Sequence, residues 1–147
     1  MGEYFTIVNL DKKERVAITP LKFYEYLANE NSKVLFWLLT RREKTEYKTL
    51  GRWAGDRVIV IGDYDEMYVK MNWDEYKDIT CDVIRDMIDY AVQEGLRELA
   101  EFMIDAFKIH CIDIDKLVLK GKVSREEREK ELQEYIKRFK QRFREEV

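Results

Sequence analysis

The sequence predicts an α+β fold: a small, mainly antiparallel N-terminal sheet carrying one helix, followed by a three-helix C-terminal half. Two observations carry that expectation. Up to about residue 72 the apolar residues alternate or run in short β-branched blocks bounded by turn chemistry, as strands require. From Asp74 onward Ile79, Val83, Met87, Tyr90, Ala91, Leu96, Leu99, Met103 and Phe107 recur at helical spacing, so everything after Trp73 reads as helix. At 147 residues the chain has the usual size of one domain, divided here into a sheet-rich half (1–72) and a helical half (73–147).

The elements follow in order. Tyr4 to Leu10 reads as a strand, Asp11 to Lys13 as a polar turn, and Glu14 to Ile18 as a half-buried strand, which together make a β-hairpin. Thr19 before Pro20 reads as a helix start, with Leu21, Tyr24, Leu27 and Ala28 on its apolar face and Asn29, Asn31 and Ser32 closing it. Lys33 to Leu39 is a continuous apolar run short enough to be a strand buried on both faces, and residues 40–50 form a charged loop or ribbon. Arg57 to Ile61 is the next strand, and Glu66 to Met71 a weaker edge strand. Gly95 breaks the helical half into helices near 75–94 and 96–109. Ser124-Arg-Glu-Glu127 fits a capping box for the last helix.

Composition narrows the class. Hydrophobic residues make up 46% and charged residues 39%, with one proline, which describes a folded globule. The charge is mainly Lys, Arg and Glu with few Asn and Gln, a balance that leans toward a thermophilic source because the desolvation penalty of ion pairs falls with temperature. Cys81 and Cys111 show no Cys-x-x-Cys spacing and no Met-led apolar stretch stands near the N-terminus, so neither a signal peptide nor a disulfide framework is expected. No apolar run approaches the roughly 20 residues of a membrane span, and a cytoplasmic protein without a membrane partner is expected. Charge is segregated: residues 73–119 carry 5 Lys/Arg against 12 Asp/Glu, and residues 120–147 carry 10 against 7. Acidic and basic helices packing on each other would account for it.

Few residues carry chemistry. Asp56 and Asp63 flank the strand at 57–61, and about 3.3 Å per residue puts them roughly 23 Å apart, too far for one site. Asp63, Asp65 and Glu66 lie closer together and offer the hard oxygen ligands of a divalent metal, with Asp11 or Glu14 of the hairpin as completing ligands. Turn chemistry accounts for the same aspartates, since Asp beside Gly bonds nearby backbone N–H groups. His110, the only histidine, lies beside the apolar stripe, and zinc lacks enough soft ligands. Neither glycine-rich phosphate loop is present, and no cofactor is expected beyond a divalent metal.

Arg41, Arg42, Lys44, Arg52 and Arg57 with Trp53 make a basic, partly aromatic region suited to nucleic acid or a partner, diluted by Glu43, Glu46 and Asp56. Leu132, Ile136, Phe139 and Phe143 step by 4, 3 and 4, a narrow seam suited to packing on the body or to a homo-oligomer through the C-terminal helix.

The segments Tyr4-Phe-Thr-Ile-Val-Asn-Leu-Asp-Lys-Lys13 and Gly51-Arg-Trp-Ala-Gly-Asp-Arg-Val-Ile-Val-Ile-Gly-Asp-Tyr64 resemble a group of uncharacterised microbial proteins with no known activity. The resemblance implies that Trp53, Asp56, Asp63 and Tyr64 form one unit. It brings no role with it. The expectation is therefore a non-enzymatic binding or self-associating protein, with a small divalent-metal-dependent phosphodiester hydrolase using Asp63, Asp65 and Glu66, or a nucleic-acid-binding module using residues 41–57, as alternatives.

Overall fold

The computed structural model describes residues 4–21, 32–113 and 125–144, with the backbone alone for 17–21 and 113. The fold is α+β, and its residues group into two compact units, Met1–Val83 and Ile84–Val147, with the boundary inside a helix.

The first unit is built on a four-stranded mixed sheet of order β3-β1-β2-β4. Strand β1 (Phe5–Asn9) pairs antiparallel with β2 (Glu14–Leu21) and with β3 (Val58–Gly62), so the two segments that carry the sequence resemblance are sheet neighbours. Its register with β3 runs from Phe5 opposite Gly62 to Asn9 opposite Val58. Strand β4 (Lys77–Asp78) pairs parallel with Glu14 and Arg15, so the mainly antiparallel sheet that the sequence predicts carries one short parallel pairing. Ile7, Val8, Val16, Val34, Trp37, Leu38, Trp53 and Ile61 are buried in this unit.

Four expectations are corrected here. Thr19 and Pro20 do not open a helix: they lie within β2, beyond the two residues that β4 pairs with, where a proline costs no ladder bond on that side. The helix face expected from Tyr24 to Ala28 lies outside the described residues. Ser32–Leu39 is helix α1, because periodicity alone cannot tell a buried strand from a buried helix in a short apolar run. Val34, Trp37 and Leu38 face inward at helical spacing, while Phe36 is 76% exposed. Glu66–Lys70 is helix α2 rather than an edge strand, started by Asp65, whose carboxylate accepts the Met67 N–H at 2.8 Å. Residues after Trp73 are not all helix: Trp73–Glu75 is a single 3₁₀ turn, β4 follows, and helix α3 (Thr80–Glu94) opens with the Asp78 carboxylate accepting the Thr80 N–H at 2.9 Å.

The chain breaks at Gly95, whose φ of +74° suits glycine, as the periodicity requires. Helix α4 (Arg97–Phe107) then runs into a π-helical stretch, Lys108–Asp113, and helix α5 (Arg125–Phe143) closes the described chain. Ser124, the expected cap of α5, lies outside the described residues. In the second unit Met103, Ile104, Phe107, Ile112, Leu132, Tyr135 and Phe139 are buried, with the Phe107 and Tyr135 rings edge to face at 5.2 Å. Arg138 meets Asp89 at 2.9 Å and Arg85 meets Glu131 at 2.6 Å, so the acidic and basic segments do pair within the chain.

Both cysteines are disulfide-bonded, which corrects the expectation of thiols.

Candidate functional site

The richest cluster of polar side chains joins the β1–β2 turn to the segment before β3. Asn9 is fully buried, and its carbonyl oxygen accepts the backbone N–H groups of Asp11 at 2.9 Å and Lys12 at 2.8 Å, shaping the turn. Its amide donates to Asp56 at 2.8 Å, and the Lys12 ammonium pairs with the same carboxylate. Asp11 accepts both the backbone N–H and the Nε–H of Arg57, at 2.7 and 2.8 Å. Glu14, only 4% exposed, accepts from Arg52 at 2.6 to 3.1 Å and from the buried Trp53 indole at 2.8 Å.

Titration follows from these partners. Burial pushes the Glu14 carboxyl up, but hydrogen bonds from Arg52 and Trp53 outweigh it and hold it below its ordinary value. Lys12 and Asn9 hold Asp56 down, and the Arg57 backbone and side chain hold Asp11 down. All three stay ionised at neutral pH, and each accepts from two groups or more. None has the raised value that would suit a general acid.

The loop that presents Arg52 and Trp53 is clamped to α1. Gly51 N–H donates to Trp37 O and Trp53 N–H to Leu38 O, each at 2.9 Å, while the Trp37 indole donates to the buried Thr49 hydroxyl at 2.9 Å. Gly51 sits at φ +72°, and a Cβ there would collide with the Thr40 carbonyl oxygen.

Asp63 and Asp65 stand at the other end of β3. Asp63 accepts the Tyr4 N–H at 3.1 Å and Asp65 caps α2, so both carry turn and cap bonds; Glu66 is exposed in the first turn of α2. Asp11 and Glu14 adjoin the Asn9 end of the sheet, which pairs with Val58, whereas Asp63 follows Gly62, which pairs with Phe5. The hairpin carboxylates therefore do not reach the Asp63 end. Among the described residues, no three His, Cys, Asp or Glu side chains converge as a metal's ligands would.

Of the basic region, Arg52 and Arg57 are tied to Glu14 and Asp11, and Arg41 lies 3.9 Å from Glu43. Arg42 and Lys44 line a hollow of about 540 Å³ with Tyr47, whose ring meets Trp37 edge to face at 5.6 Å. Trp53 is fully buried and offers no stacking face. Of the C-terminal seam, Leu132 and Phe139 are buried within their own unit, Ile136 and Phe143 are half-buried, and the Arg97 guanidinium lies 5.8 Å from both the Phe139 and Phe143 rings.

Sequence reasoning missed the surface that follows β3. Val60 is 48% exposed, Tyr64 67% and Val69 75%, with Met67 also exposed, and the Tyr68 and Trp73 rings meet tilted at 4.6 Å. The signal was present in the alternation of Val58 to Ile61, whose polar counterpart on the outward face is missing. Compared with protein-family models, curated proteins and solved structures, the chain matches none of them.

Proposed function

We propose that the protein is a non-enzymatic, self-associating binding protein. The observation that carries this reading is the exposed apolar run of Val60, Tyr64, Met67 and Val69 within ten residues of chain. The engaged state of Asp11, Glu14 and Asp56 supports it from the other side, because each carboxylate is spent on a structural partner. Half-buried Ile136 and Phe143 leave part of the C-terminal seam as a second contact area for an oligomer.

A cytoplasmic, thermophilic setting agrees with this reading. No helix among the described residues is long and apolar enough to cross a membrane. Disulfide-bonded cysteines are compatible with the interior of a hyperthermophile, where intracellular proteins are disulfide-rich. Size-exclusion chromatography with light scattering, from low micromolar to near-millimolar protein, tests the proposal. A mass rising toward an integer multiple of the 17.9 kDa chain is expected; a monomer throughout would overturn it.

A further inference from the structure

The two edges of the sheet are treated differently. Strand β4, at one edge, is two exposed, charged residues, which is how a protein blunts an edge against pairing. Strand β3, at the other, is five residues without a charge, a proline or a register shift, and among the described residues no strand pairs with its outer side. Its backbone orientation follows from two bonds: Leu10 N–H donates to Arg57 O at 2.9 Å and Asp63 N–H to Tyr4 O at 3.0 Å. Antiparallel ladders alternate, so Arg57, Ile59, Ile61 and Asp63 direct their backbone groups toward β1, while Val58 and Val60 direct theirs outward; Gly62, which is buried, already gives its carbonyl to the Asp65 N–H at 3.1 Å.

Resting on the self-association proposed above, we infer that a second copy of this chain docks on that edge, its β3 antiparallel to the first about a two-fold axis through Val60. The register is self-complementary. Val60 meets its counterpart and exchanges both backbone bonds with it, Val58 meets Gly62, Ile59 meets Ile61, and Arg57 meets Asp63. Charge complementarity selects the second copy as the occupant, because each end of the paired strands then sets a guanidinium opposite a carboxylate, twice per dimer. Arg57 is exposed and has donors to spare beyond those given to Asp11, and Asp63 has acceptor capacity beyond the Tyr4 N–H. One residue of slip would lose both ion pairs and turn the ladder out of phase.

Sedimentation of the full chain tests the inference. Val60→Lys sets two ammonium groups together at the axis while leaving the β1 side of the ladder untouched, and it should weaken dimerisation by about tenfold or more with an unchanged near-ultraviolet circular dichroism spectrum. Arg57→Glu and Asp63→Lys should each weaken it, and the double variant should recover most of the loss. The double variant decides the matter even where Val60→Lys fails to fold. A wild-type monomer at every concentration would overturn self-association itself. A wild-type dimer whose dissociation constant is unmoved by Val60→Lys and by both single charge variants would overturn the β3 edge alone.

Discussion

Glu14 is the residue on which the first unit turns. It is buried, its charge is matched by Arg52, and it is the acceptor for the Trp53 indole. Glu14→Ala leaves the buried indole N–H without that acceptor, so chemical denaturation should show a loss of about 1–3 kcal/mol. The pH dependence follows from the direction of the shift. A carboxyl held below its ordinary value of 4.5 in the folded state contributes stability that is present above that pH and lost as pH falls through the depressed value. The difference between wild type and Glu14→Gln should therefore be flat near neutrality and shrink under acid. A difference that grows on acidification would contradict the assignment. Gly51→Ala should cost roughly 1–3 kcal/mol from its positive φ alone, and more from the collision with Thr40, whereas Gly55→Ala meets no neighbour and carries only the backbone term.

Among the helices, packing outweighs charge. The Arg138–Asp89 pair is partly exposed, and removing Arg138 should cost under about 1 kcal/mol, even though burial pushes the Asp89 carboxyl upward. Phe139 is buried, and Phe139→Ala should cost about 3–5 kcal/mol in the same denaturation experiment. Strands β1 and β3, the break at Gly95 and the last helix were legible in the sequence, because alternation, a helix-breaking glycine and a strong 3.6 period are local signals. Helix α1 was not: Lys33 to Leu39 is nearly all apolar, and only burial on one stripe distinguishes its helix. Helix α2 was missed because it is five residues long and owes its start to the Asp65 cap. Of the site, the opposite ends taken by Asp56 and Asp63 were legible from strand length. The meeting of Glu14 with Arg52 and Trp53 was not, since it joins residues 38 and 39 apart through the tertiary fold. Nor was the acceptor role of Asn9, a residue the periodicity treats as the end of a strand.

Across the whole molecule, the ionic composition and the oxidised cysteines point the same way. With both cysteines disulfide-bonded, the denatured but unreduced protein should take up no alkylating reagent, and two adducts should appear after reduction. A melting temperature above about 65 °C, the upper end of the mesophile cluster, is expected of the oxidised form. The sheet-edge account makes a sharper claim, because it names the atoms that must become protected when two chains meet. Amide hydrogen exchange resolved at Val58 and Val60, measured at low and high protein concentration, reads those atoms directly. The account predicts rapid exchange in the dilute protein and strong protection of both amides in the concentrated one, with Ile59 and Ile61 protected in each. Unchanged exchange at Val58 and Val60 in a solution that sedimentation shows to be dimeric would contradict it.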